Sequence, residues 1–167
     1  MRLVADTGPL IGLAKIDRLH ILKNLTSSVE IPPAVSRELL GKTGYETELI
    51  DNALHDFIRV SDVGPLEQNV RDILVDLDEG ERQAIGLASK LSEDVILLID
   101  DRAGRSAAEK LHIPTTGLIG ILLLAKEKGI VTEVGALLDD LRKNGYWISD
   151  EIVEIARHLA GEKPPRP

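Results

Sequence analysis

Five carboxylates stand at positions where chemistry is easier to explain than structure. Asp6 ends a short aliphatic run, and Asp100 and Asp101 follow the clearest strand-like run, residues 95–99. In an open α/β sheet, ligands bind beyond the carboxyl ends of the strands, so acids at two strand ends can converge there. Glu38 lies three or four residues from Ala34 and Val35 and beside Leu39, which turns it inward on a helix. Glu81 repeats the pattern more strongly, with Leu77, Ala84, Ile85 and Ala88 on its face. Glu79 shares a face with Arg82, Gln83 and Gly86 and reads as solvated. A charge on an inward face is costly unless it is paired or bound to a metal. Together these acids describe an oxygen-lined pocket for a hard divalent cation, Mg²⁺ or Mn²⁺. Such an ion can activate water and stabilise an in-line displacement at phosphorus. Helix capping by Asp6, Asp100 or Asp101, and a dipole role for Glu81, are the structural alternatives.

The remaining composition narrows the chemistry. The chain has no cysteine and four histidines, none at the spacing of a helical zinc motif, which favours oxygen-loving metals over zinc. A net charge of −8 is the wrong sign for a general nucleic-acid coat. Phosphates would therefore be held locally, by Lys15, Arg37, Arg102 and Arg105. Arg102 and Arg105 follow Asp101 on one helix and are expected to flank a scissile phosphate, the alternative being that Arg102 bridges to Asp100. Aromatics make up 2% of the residues, too few for an extended base-stacking platform. No signal-peptide core opens the chain, and its longest apolar stretch, residues 118–125, is too short to span a bilayer. A cytoplasmic protein with no membrane association is expected.

The elements that must position these residues alternate along the chain. Strands are expected at residues 3–5, 29–31, 57–60, 95–99 and 113–115. Helices are expected at 9–16, 19–25 (capped by Asp17), from Pro32-Pro33 onward, 66–77, 79–91, 102–111, 117–128, 132–143 and after Ser149-Asp150. Alternation of this kind implies a three-layer α/β/α sandwich around a central parallel sheet. Residues 1–160 form a single domain, and residues 161–167, rich in proline, read as a disordered tail.

Four segments, in order, resemble the signatures of the PIN-domain family. Ala5-Asp6-Thr7-Gly8-Pro9-Leu10 resembles its opening, in which an Asp followed by Ser or Thr ends the first strand. Ile31-Pro32-Pro33-Ala34-Val35-Ser36-Arg37-Glu38-Leu39 resembles the helix that carries an inward Glu. Gly80-Glu81-Arg82-Gln83-Ala84-Ile85 is similar to the third signature and Leu97-Leu98-Ile99-Asp100-Asp101-Arg102 to the fourth. The likeness spans about residues 2–130 and in a prokaryotic subgroup continues through Ile148-Ser149-Asp150.

The resemblance implies a metal-dependent endoribonuclease acting on single-stranded RNA, often a homodimer, and in the VapC-type members a toxin neutralised by a small antitoxin. It implies Asp6, Glu38, Glu81 and Asp101 as metal ligands and catalytic residues, with Thr7 supporting them or touching RNA. Alignment on Arg102 favours Asp101, with Asp100 the second candidate. Two departures stand out: Glu81 occupies a position that is most often Asp, and Ile99 replaces a usual Ser or Thr hydroxyl.

Other readings fit less well. Asp6-Thr7-Gly8 also matches the aspartic-protease tripeptide, but no second copy exists and the chain is helix-rich. A phosphoacceptor domain would want a lysine where Thr115-Thr116-Gly117 has none. A non-catalytic PIN-like module that binds RNA or protein is the stronger rival. For self-association, the stripes Ile119, Leu122, Leu123 and Val134, Leu137, Leu138, Leu141 are the candidate surfaces, with core burial as the alternative.

Overall fold

Short strands β1 (Arg2–Ala5), β2 (Ser28–Ile31), β3 (Ile58–Val60), β4 (Val95–Leu98) and β5 (Thr115–Thr116) lie side by side in the order β3-β2-β1-β4-β5. Every neighbouring pair is parallel. The computed structural model in which they are seen describes residues 1–91 and 94–164. Around the sheet lie α1 (Thr7–Lys15), α2 (His20–Leu25), α3 (Pro33–Leu40), α4 (Tyr45–Asp56), α5 (Gln68–Leu74), α6 (Glu79–Lys90), α7 (Arg102–Lys110), α8 (Leu118–Glu127), α9 (Val134–Lys143) and α10 (Asp150–Leu159).

Successive strand residues point to opposite faces, and the two faces are filled differently. Leu3, Ala5 and Leu98 face a large core built with α1 to α4 and α8 to α10. Val4, Leu97 and Ile99 face a smaller one built with α5, α6 and α7. The architecture is thus the expected three-layer sandwich. Strand order reverses between β1 and β4, and this crevice lies at their carboxyl ends. Ala5 pairs with Leu98, and the Asp6 amide donates to the Leu98 carbonyl at 2.9 Å, so the acids after both strands begin at the same level.

Local differences from the sequence reading have identifiable causes. Helix α4 was not expected: it buries only Ile50 and Ala53 and carries Glu46, Glu48, Asp51 and Asp56, so its stripe is thin. Packing against α1 and α3 fixes it instead. Asp17 does not cap α2, whose N-cap is Leu19; it takes a left-handed turn at φ 53°. The proline-rich tail is anchored at Glu162, whose carboxylate accepts from the Val134 and Gly135 amides and pairs with Lys126 at 2.7 Å. Residues 165–167 of the expected tail lie outside the described residues.

The stripe Val134, Leu137, Leu138 and Leu141 is buried in this chain's own core, as is Leu122, which removes it as an association surface. Among the described residues no helix is long and apolar enough to cross a membrane.

The most buried carboxylate among the described residues lies within a strand rather than after one. Glu30, in the middle of β2, is 6% exposed; it pairs with Arg2 at 2.7 Å and accepts from Ser61 Oγ at 2.8 Å. Burial alone would raise its pKa. The Arg2 and Ser61 hydrogen bonds and the charges of Arg2 and Arg59 outweigh burial and hold it below the usual range. A carboxylate lowered in the folded state stabilises above its unfolded pKa and loses that contribution as pH falls through the folded one. Glu30→Gln is therefore expected to cost about 1–3 kcal/mol at pH 7 and to flatten the acid limb of the melting-temperature profile, measured by circular dichroism.

Candidate active site

Asp6 sits at the first turn of α1 without capping it: its side chain makes no cap hydrogen bond. Its carboxyl is instead pushed up to about 6, first by burial and then by the charges of Asp78, Glu38 and Asp101, against a pull from the Thr7 amide. Glu81 is pushed up to about 7, by burial, then by Asp78 and Asp101 and, more weakly, Asp6. Of the expected acids, Asp6 thus feels the charges of Glu38 and Asp101, and Glu81 those of Asp101 and Asp6.

Glu38 reaches this cluster by a route the helical wheel did not give. It is exposed rather than inward, and lies over Gly80 at the start of α6. A Cβ at Gly80 would stand 2.9 Å from Glu38 Oε1, so this glycine leaves room for the carboxylate. Glu79 is exposed as expected and pairs with Arg37 at 3.0 Å.

Asp78 is the acid the sequence reading missed. It is the N-cap of α6: Asp78 Oδ1 accepts from the Glu81 amide at 2.8 Å, and Glu81 Oε2 accepts from the Asp78 amide at 3.3 Å. The signal was present as a capping box, Asp78-Glu79-Gly80-Glu81, ahead of an Ala-rich helix. Glu81 therefore belongs both to the first turn of α6, the alternative weighed for it, where it closes a capping box, and to the acids around Asp6. Asp101 likewise combines a cap with a place among those acids, since its Oδ1 caps α7 at the Gly104 amide at 2.8 Å.

The doubled acid divides cleanly. Asp100 Oδ1 accepts from the Leu118 amide at 3.0 Å, and its Oδ2 accepts from the Tyr146 hydroxyl at 2.7 Å. Each oxygen thus accepts from a protein donor, which ties Asp100 to Leu118 and Tyr146. Burial and the Asp100 charge push the Tyr146 hydroxyl far above its ordinary pKa, so it remains a donor. Arg105 joins the same knot, with Nε donating to the Ile99 carbonyl at 2.8 Å and Nη2 lying 3.6 Å from Asp100. The structural bridge considered for Arg102 is thus made by Arg105, which ties α7 to the residues that follow β4. Arg102 is exposed and forms no ion pair among the described residues.

Lys15 lies at the far end of α1, roughly 13 Å of helix from Asp6, and pairs with Glu46 at 3.2 Å. Ile99, which stands where a hydroxyl was expected, is fully buried and packs against Gly104, the position in α7 that has no Cβ to obstruct it.

Whether these residues fit a divalent cation can be judged from the donors themselves. Among the described residues, no three acids or histidines are drawn close enough to hold an ion as they stand. The donor set nevertheless suits a hard cation: it is all oxygen, and burial, reinforced by the neighbouring acids, raises the proton affinity of Asp6 and Glu81. Thr7 Oγ1, next to Asp6 in the chain, is buried and has no hydrogen-bond partner among the described residues.

A family model, DUF3368, described as a PIN domain, matches residues 2–162. The chain belongs to the PIN-domain family. Members of that family are commonly nucleases and generally use divalent metal ions. No curated protein and no solved structure matches the chain.

Because Asp6 and Glu81 bind protons more tightly when folded, their contribution to stability is present at low pH and is lost as pH rises through about 6 and 7. Without added metal, the melting temperature is expected to fall between pH 5 and 8, and Asp6→Asn to lessen that fall. Millimolar Mn²⁺ should raise the wild-type melting temperature by on the order of 5 °C at pH 8, and by less at pH 5.5, where protons compete. Calorimetric melts at the two pH values check both.

Proposed function

We propose that the protein is a metal-dependent endoribonuclease that hydrolyses phosphodiester bonds of single-stranded RNA at the cluster of Asp6, Glu38, Glu81 and Asp101. The observation that carries this reading is the pair of raised carboxyls, Asp6 and Glu81, crowded by acids at the switch point of a PIN-family sheet. Asp6 and Glu38 would hold a Mg²⁺ or Mn²⁺ ion together with Glu81 and Asp101. When bound, the ion supplies charge neutralisation at the phosphate and acidifies water.

The chain's own residues do the rest. Asp101 and Glu81 are fixed by the helix caps they form, which keeps half of the donor set in place before RNA arrives. Arg102, which follows Asp101 and has no ion-pair partner among the described residues, is the cation available to a phosphate oxygen. Arg37 reaches the same edge but shares its charge with Glu79.

Binding without cleavage is the second reading, and the cap bonds made by Asp78, Glu81 and Asp101 are what favour it. A toxin role, with a small antitoxin and a homodimeric state, is part of the first reading. An exposed apolar ridge of Trp147, Ile152, Ile155 and Leu159 supports an interface with a protein partner.

Purified protein with Mn²⁺ is expected to cleave unstructured RNA, and EDTA to stop it. Asp6→Asn and Glu81→Gln should each lower the rate at least about 100-fold, with Glu79→Gln close to wild type. Tight RNA binding with no metal-dependent cleavage would establish the second reading instead. Arg105→Ala should lower the melting temperature, as loss of its bond to the Ile99 carbonyl requires.

A further inference from the structure

Beside the carboxylate cluster, on the other side of α6, lies a cleft of about 830 Å³. Its volume falls in the range of small-molecule sites, roughly 300–1,000 Å³. Pro33, Val63, Leu66 and Val75 supply apolar walls, and Val75 is 64% exposed. The wall formed by the segment after β3 is held in place from α6. A Cβ at Gly86 would stand 2.9 Å from Leu66 and 3.2 Å from Val63, so the glycine lets this segment lie directly on the helix. Lys90 Nζ donates to the Val63 carbonyl and pins it there.

Two guanidinium groups, Arg71 and Arg82, line the same cleft. Their hydrogen bonds go to neutral oxygens, the Gln68 side chain and the Leu77 carbonyl. Neither forms an ion pair among the described residues, in a chain with 28 acids and 20 Lys and Arg. Of the acids on the rim, Glu79 is engaged by Arg37, while Asp62 offers acceptor oxygens to the N–H edge of a base. The cleft and the cluster share α3 and α6. Glu79 precedes the glycine over which Glu38 lies, and Gln83 in the wall accepts from the Ala34 amide at 3.0 Å, joining α6 to the helix that carries Glu38.

An apolar slot with two uncommitted arginines has the chemistry of a nucleotide: a flat, weakly polar base and an anionic phosphate. Guanidinium planes can also stack on bases, which matters in a chain with 2% aromatics. We propose that this cleft seats one nucleotide of the RNA strand next to the scissile bond, its base against the Leu66 and Val75 wall and its phosphate on Arg71 and Arg82. The proposal rests on the nuclease reading for the strand's course past the carboxylates, and not for the binding itself.

The test is made on the full chain in EDTA, so that it does not depend on cleavage. Nucleoside monophosphates are expected to bind, by calorimetry or NMR titration, at least about tenfold more tightly than ribose 5-phosphate. Labelled single-stranded RNA should bind in the same buffer, followed by fluorescence anisotropy. Arg71→Ala and Val75→Glu should each weaken both interactions about tenfold, with the wild-type melting temperature and Mn²⁺-induced melting shift retained. Equal binding of ribose 5-phosphate, or unchanged nucleotide affinity in Arg71→Ala, would overturn the cleft as a nucleotide site. Nucleotide binding that depends on Arg71, with RNA affinity unchanged, would overturn the strand assignment and give the cleft to a free nucleotide. If wild-type protein fails to cleave RNA with Mn²⁺ while both EDTA results hold, the nuclease reading falls and the cleft stands.

Discussion

Asp6 pays most visibly for the arrangement of this protein. Its carboxylate is partly buried where β1 ends, with Asp78, Glu38 and Asp101 contributing repulsion and no side chain of opposite charge among the groups that shift it. A fold that places like charges together in this way gives up stability, and it does so at the point where strand order reverses. Everything around the site follows from that constraint. The strands that deliver Asp6 and Asp101 are short and fully covered, and the helices that deliver Glu38 and Glu81 are packed on each other.

Carboxylates of one residue type perform different tasks here, and the partners decide which. Glu30 is less exposed to solvent than Asp6 but is satisfied by Arg2 and Ser61, so its proton affinity falls instead of rising. Asp100 and Asp101 are adjacent in the chain, yet the first is tied to Leu118, Tyr146 and Arg105, whereas the second holds the start of α7 and faces the acids. Burial alone would have selected the wrong residue. What separates a structural acid from a candidate ligand is whether cations and hydroxyls or other acids surround it.

The cationic side chains sort by the same rule. Arg2, Arg37, Arg105, Arg142 and Arg157 meet carboxylates, as expected in a chain of net charge −8. Arg71, Arg82 and Arg102 bond to neutral oxygens or to none of the described acids, and they lie on either side of the carboxylate cluster. A polyanion approaching an acidic protein needs local patches of this kind, since the overall field opposes it.

Much was legible in the sequence, because strand and helix periodicity and an acid at a strand end are local properties. The aliphatic runs before Asp6 and Asp100, the Ala-rich face beside Glu81, and the contrast between Glu81 and Glu79 all carry over into the structure. Helix α4 was not legible, since its thin apolar stripe becomes helical by packing against its neighbours. The exposure of Glu38 depends on where α6 begins, and the choice between Asp100 and Asp101 depends on Tyr146, 46 residues away. The role of Arg105 likewise turns on a carbonyl at the end of β4. Sequence patterns report which face of an element an amino acid occupies; only the tertiary structure supplies the partner from another element, and for a charged group the partner determines its function.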